Sequence, residues 1–175
     1  MDTKPNALGR RAMCTLAGIA LFFSAASFGH AGELSLLVNG KAIHFNEPEG
    51  ANWNEKNWGA GLHYEYAAVS GKWVPFLTAS GFLDSNRNRS YYAGGGAMRR
   101  FPAGAASRDL HFDLGAVGFL MKRVDFKNDR PFLGVLPAVS LGAGPVALNV
   151  TYVPKVDPKS RPLVFFQLKI TVGEF

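Results

Sequence analysis

The chain has 175 residues, a single cysteine and a formal net charge of +6. One cysteine excludes a disulfide framework. After the first 31 residues no stretch approaches the ~20 continuous apolar residues of a membrane helix. If this chain crosses a bilayer, it must do so as a closed β-barrel, in which every backbone polar group is paired internally.

Taken in chain order, residues 1–31 read as an export signal. Lys4, Arg10 and Arg11 form a basic n-region, residues 12–28 an apolar h-region, and Gly29-His30-Ala31 a small-residue cleavage site. Cys14 lies inside this segment, so the expected mature part, residues 32–175, has no thiol. That part suits one domain and carries 16 basic and 12 acidic side chains, a net +4.

Eight segments then read as strands: 34–45, 58–69, 73–84, 90–101, 108–121, 132–141, 146–153 and 163–173. Each is close to the ~9–11 residues of a tilted transmembrane strand, and eight is the smallest usual even count. The fold class predicted is all-β, an eight-stranded antiparallel barrel of outer-membrane type. Connections 70–72, 102–107 and 142–145 are short and turn-like. Connections 46–57, 85–89, 122–131 and 154–162 are mostly longer and more charged. Barrels of this class have short periplasmic turns and longer outer loops, which places both chain ends in the periplasm.

Alternation within the strands sets the two faces. In the last strand Val164, Phe166, Leu168, Ile170 and Val172 share one face and Leu163, Phe165, Gln167, Lys169 and Thr171 the other. In the fifth, Leu110, Phe112, Leu114, Ala116 and Leu120 oppose His111, Asp113, Gly115, Val117, Phe119 and Met121. The inner face is therefore expected to be apolar near the outer loops and polar toward the periplasm, a pocket above a polar plug to which His63 and His111 belong. The first strand breaks this pattern. With His44 pointing inward, Lys41 and Asn39 would face lipid, and a bulge at Asn39-Gly40 restores Leu34, Leu36 and Val38 to the outer face.

His44 ends the first strand and Asp84-Ser85 the third, so all three are expected at the outer rim. Histidine is the usual general base for acyl transfer. A serine beside it serves as nucleophile, and a carboxylate orients the imidazole. By spacing alone an Asp-Ser pair at a strand end is more often turn chemistry, and Gly94 to Gly96 equally relieve crowding in a small barrel. No metal constellation, no glycine-rich phosphate loop before a helix and no basic-aromatic nucleic-acid pattern appears, so neither cofactor nor nucleic acid is expected.

Several of these motifs coincide with one family. Leu136-Pro137, Ser140, Gly142-Ala143-Gly144-Pro145-Val146 and Thr151-Tyr152-Val153-Pro154 resemble, without a gap, a strand pair of the PagP family of lipid A palmitoyltransferases. Asn54-Glu55-x-x-Trp58-Gly59-x-Gly61 and the register from Asp84 to Gly96 are similar to it as well. Asn86 stands where the family has an aromatic residue. The resemblance implies that His44, Asp84 and Ser85 are catalytic and that Gly96 sets the depth of the acyl pocket. It implies that Pro137 and Pro154 open lateral gates for lipid tails. Without a ligand, the same prolines would only end strands. Nine basic residues lie in outer loops two to four: Arg87, Arg89, Lys122, Arg123, Lys127, Arg130, Lys155, Lys159 and Arg161. Arg and Lys suit phosphate, and Arg87 and Arg89 are the substrate-binding candidates; a solvated rim explains such charges too.

The function these readings imply is transfer of a palmitoyl chain from a glycerophospholipid to lipid A in the outer leaflet of the outer membrane, by a monomer. A non-catalytic structural or lipid-binding barrel, or a lipid esterase, are the alternatives.

Overall fold

The computed structural model describes residues 32–46, 52–103, 110–124, 126–155 and 161–175; the expected signal at 1–31 lies outside them. The eight strands are β1 Gly32–His44, β2 Lys56–Tyr66, β3 Trp73–Leu83, β4 Arg89–Pro102, β5 Leu110–Lys122, β6 Phe132–Ala143, β7 Val146–Val153 and β8 Leu163–Glu174. They form one closed antiparallel barrel in which each strand pairs with its sequence neighbours. β1 and β8 close the ring from Glu33–Glu174 to His44–Leu163. Gly32 and Phe175 extend the closure by donating amide hydrogens to each other's carbonyls, both at 2.9 Å.

Most strand bounds differ from expectation by one to three residues, and two of these differences have a clear cause in turn geometry. β2 stops at Tyr66, because Ser70 and Gly71 adopt positive φ (50° and 74°) in a turn where Val69 bridges back to Trp73. β6 runs on through Ala143 and leaves only Gly144-Pro145 to reverse the chain. Gly144 takes φ 58°, a conformation open to glycine at no steric cost.

The bulge expected in β1 is present. Register slips between Asn39 and Lys41 against β2, and between Asn39 and Ala42 against β8. The extra residue keeps Leu36 and Val38 outside and turns Asn39 and Ala42 inside, while Lys41 stays exposed. Around the ring Leu36, Leu62, Leu77, Leu114, Leu141 and Leu168 form an exposed apolar belt. A contiguous surface of this kind suits hydrocarbon rather than water.

Inside, the polar plug lies at the end bearing the chain termini. Lys169 donates to Glu65, which also accepts from Arg100 at 2.9 Å and lies 3.3 Å from His63 Nε2. Arg100 forks onto Asp113 through Nε (3.1 Å) and a terminal nitrogen (2.9 Å). His111 stands 3.6 Å from the same carboxylate. Each buried ion costs several kcal/mol to desolvate, and the network recovers this only because its two cations and two carboxylates are mutually paired.

The apolar part is less uniform than the alternation suggests. On the β3–β4–β6 side, buried Phe76, Met98 and Ala138 pack together above the plug, with Val117 against them. His63 stacks on Phe76 at 4.9 Å. On the β1–β8 side a polar layer reaches higher, because the bulge has turned Asn39 inward. Asn39 donates to Ser80 (2.7 Å), and Gln167 donates to Asn39 and to the Tyr92 hydroxyl (3.0 Å). Above both, Phe82, Phe119, Phe132 and Phe165 line the lumen. Phe82 and Phe165 meet at 5.4 Å and Phe119 and Phe132 at 6.5 Å.

One seam is incomplete. β6 and β7 pair only from Ala138–Thr151 to Ala143–Val146. Beyond Ala138, toward the rim opposite the termini, residues 132–137 pair with β5 alone, and Tyr152 and Val153 with β8 alone. Pro137 sits where the pairing ceases and has no N–H to continue it. Next to the seam Leu133 and Val135 are 83% and 73% exposed.

The plug gives the first prediction. Glu65→Ala strands Lys169 as a buried cation and is expected to lower unfolding stability by ~3–5 kcal/mol, while adding Lys169→Met recovers part of the loss. Urea unfolding of the detergent-refolded barrel, followed by tryptophan fluorescence, measures both.

Candidate active site

At the rim opposite the termini, the structure brings together the ends of β1 and β3. His44 closes β1, and Ser85 lies two residues past the end of β3. Their side chains meet at 2.9 Å, Nε2 to Oγ. This distance suits a hydroxyl and the base that takes its proton.

Two clamps hold the pair. Residues 52–55, the end of the first loop, lie against the β3–β4 turn: Asn54 donates its amide hydrogen to the Ser85 carbonyl (2.8 Å) and its side-chain NH2 to the Asp84 carbonyl (3.1 Å). Trp53, the residue before, packs on the His44 ring at 4.7 Å with the planes tilted by 49°. On the other flank the Phe45 amide donates to the Pro162 carbonyl (2.9 Å), fixing the chain just beyond His44.

Asp84 holds the turn itself and is 1% exposed. Its Oδ1 accepts the backbone N–H of Asn86 and of Asn88, both at 2.9 Å. Its Oδ2 accepts the Ser90 hydroxyl at 3.0 Å and lies 3.6 Å from Arg123. None of these bonds goes to the imidazole. A carboxylate bonding backbone N–H groups two and four residues on stabilises a turn locally. In this geometry Asp84 builds the platform that presents Ser85.

Of the other sequence candidates, Gly96 faces the lumen in β4. A Cβ placed there would meet the Ala116 carbonyl oxygen and, at 2.9 Å, the tip of the Phe76 ring. It therefore sits over the Phe76–Met98–Ala138 cluster. Pro137 faces outward at the β6–β7 seam and Pro154 follows the end of β7. Arg87, with φ 64°, reaches Asn52 of the first loop through two hydrogen bonds of 3.3 and 3.4 Å. Arg89 is exposed at the start of β4. Trp53, Ser90 and the bond from Asn54 to the turn are contributions that sequence reading missed. Only the Asn54-Glu55-x-x-Trp58 motif, which contains Asn54 and directly follows Trp53, hinted at them.

Residues 34–169 match the family model described as "Antimicrobial peptide resistance and lipid A acylation protein PagP". The chain belongs to the PagP family. It is similar to the "Lipid A acyltransferase PagP" of Bordetella pertussis (strain Tohama I), with 35% identity over 115 residues, 66% of this chain and 61% of the relative. The protein of that name from Methylobacillus flagellatus is 31% identical over 103 residues, 59% of this chain and 54% of the relative. The matched part thus spans about three fifths or less of the length of these curated relatives. Among solved structures, "Ail, the attachment invasion locus protein of Yersinia pestis" covers 83% of this chain and 99% of its own at 11% identity, with a TM-score of 0.47. At that level it adds nothing to the PagP assignment.

If Asp84 acts as a turn residue, its charge matters less than its acceptor oxygen. Asp84→Asn keeps Oδ1 for both amides, whereas Asp84→Ala loses the bonds, each worth about 0.5–1.5 kcal/mol. Amide hydrogen exchange at Asn86 and Asn88 is expected to stay slow in the first variant and to quicken in the second.

Proposed function

We propose that this PagP-family barrel is an outer-membrane enzyme that moves a palmitoyl chain from a glycerophospholipid to a hydroxyl of lipid A. The observation that carries the reading is the His44–Ser85 hydrogen bond of 2.9 Å at the rim of an aromatic-lined lumen. The activity named for the curated relatives supports it.

In this reading Ser85 Oγ attacks the ester carbonyl of the donor while His44 Nε2 takes its proton. The C–O bond to the glycerophospholipid breaks, and His44 returns the proton to the departing oxygen, leaving a lysophospholipid and an acyl-Ser85 ester. A lipid A hydroxyl then gives its proton to His44 and attacks the acyl carbonyl; the bond to Ser85 Oγ breaks, His44 passes the proton to that oxygen, and palmitoylated lipid A leaves with both residues restored. Asp84 keeps Ser85 in place through the turn. The donor's tail enters the lumen sideways at the β6–β7 seam, where Pro137 and Pro154 flank the missing ladder bonds. Its end rests near Gly96, on the apolar floor of Phe76 and Met98. With both termini in the periplasm, the rim lies at the outer leaflet. The protein works as a single chain without a cofactor.

Mass spectrometry of lipid A from cells with and without the protein tests the reading. The intact protein is expected to add palmitate, and His44→Ala or Ser85→Ala to lower transfer by about 10²–10⁴-fold. Full activity in either variant would sink the assignment, and fatty acid released without any change to lipid A would make it an esterase. An acyl group on Ser85, trapped and located by peptide mass spectrometry, is the expected intermediate.

The floor is tested separately by chain length. Gly96→Ala, whose Cβ must displace the β5 wall at Ala116 and the tip of the Phe76 ring, should shorten the preferred acyl chain. Phe76→Ala should let in a longer one by opening the space beneath. A chain-length profile unchanged in both variants would remove Gly96 from the pocket.

A further inference from the structure

Outside the lumen, the bulge in β1 opens a groove of about 580 Å³ against the start of β2, lined by Gly40, Lys41, Trp53, Lys56, Trp58 and Arg87, with Asn54 and Glu55 between. Nothing in the catalytic scheme uses it. Its position is nonetheless close to the chemistry, because Trp53, one of its lining residues, packs on His44 at 4.7 Å. The groove and the rim dyad are thus separated by the Trp53 side chain alone at their point of contact with His44.

The charge and shape of its lining point to one ligand chemistry. Among the described residues of the lining, three cations meet one carboxylate: Lys41 pairs with Glu55 at 3.1 Å, and neither Lys56 nor Arg87 has an ion pair among those residues. Lys56 is exposed and enters no ion pair among the described residues. The Arg87 guanidinium hydrogen-bonds the neutral Asn52, while its backbone N–H donates to the Asp84 carbonyl. Trp58, 61% exposed, shares the wall with them. An indole beside lysine and arginine is the composition of a membrane–water interface, where the ring meets the headgroup level and the cation meets phosphate. A soluble anion would need the cations but not the exposed indole. Hydrocarbon alone would need the indole but not the cations.

We propose that the β1–β2 groove is a subsite for a lipid-borne phosphate, with Lys56 and Arg87 binding the phosphate and Trp58 the adjoining acyl or glycerol surface. It holds a phosphorylated lipid beside His44, so that the lipid's reacting oxygen is presented to the dyad. The shared chemistry is the phosphate, carried either by lipid A as acceptor or by the glycerophospholipid as donor. The proposal rests on the acyl-transfer reading for its kinetic consequence, though binding alone is testable without it.

Transfer kinetics with the refolded protein in mixed micelles separate the possibilities. Lys56→Gln with Arg87→Gln is expected to raise KM for one substrate about tenfold, as loss of charge-assisted hydrogen bonds implies. Lys56→Arg with Arg87→Lys, which keeps the charge, should restore it. If KM rises for lipid A, and the variant and the wild type handle dephosphorylated lipid A alike, the acceptor's phosphate occupies the groove. If KM rises for the phospholipid instead, the donor's does. KM values unchanged for both substrates overturn the proposal. Should the wild type show no transfer at all, a fluorescence titration of His44→Ala with phosphorylated lipid A and with phosphatidylglycerol keeps the question open to an answer. A saturable tryptophan change, lost with Lys56→Gln and Arg87→Gln, upholds the groove while the acyl-transfer reading falls. No saturable change with either lipid overturns both.

Discussion

Closure of the β1–β8 ladder fixes which way every side chain in this barrel points. In a closed sheet the in–out alternation of each strand must agree with that of both neighbours, so a strand cannot slip by one residue without turning its apolar set into the lumen. β1 meets this constraint only through the extra residue near Gly40. Without it, either His44 would leave the rim or Leu36 and Val38 would leave the lipid face. The bulge satisfies both ends of the strand and has two consequences. It turns Asn39 into the lumen, where Ser80 and Gln167 engage it, and it opens the groove that Lys41 and Lys56 line.

The same closure makes the charged plug tolerable. A barrel of eight strands is just wide enough for side chains to fill, so Glu65, Arg100, Asp113 and Lys169 from four different strands converge within hydrogen-bonding reach. Each would be costly alone. Together they seal the terminus-bearing end, and the apolar cluster of Phe76, Met98 and Ala138 rests on them. The rim is joined differently: β6 and β7 part company beyond Ala138, and the first loop is tied to the β3–β4 turn through Asn54 and through the Arg87–Asn52 bonds.

Much of this was legible in the residues. Period-two alternation in β5 and β8 places Asp113, His111, Lys169 and Gln167 inside, and the conflict between His44 and Val38 locates the bulge. The strand ends were less legible. Residues 67–69 carry a strand-like composition, but the turn geometry at Ser70-Gly71 ends β2 at Tyr66. Arg100 and Glu65 lay at inner-face positions of β4 and β2, yet their partnership depends on the stagger between strands, which a single sequence does not encode as a pattern. The role of Asp84 was hidden for a related reason. An Asp-Ser pair does not show in sequence which donors its carboxylate meets, and only the fold brings Asn86, Asn88 and Ser90 to Asp84.

The sequence by itself determined the fold class, the strand count, the two faces, the family and the rim placement of His44 and Ser85, because alternation and motif spacing are local properties of the chain. Tertiary structure decided that His44 Nε2 stands 2.9 Å from Ser85 Oγ, that Trp53 backs the imidazole, that the β6–β7 ladder stops at Ala138, and that Lys56 and Arg87 share a groove. Each of these joins residues whose distance is set by strand stagger and loop path. Both emerge only when all eight strands close on one another.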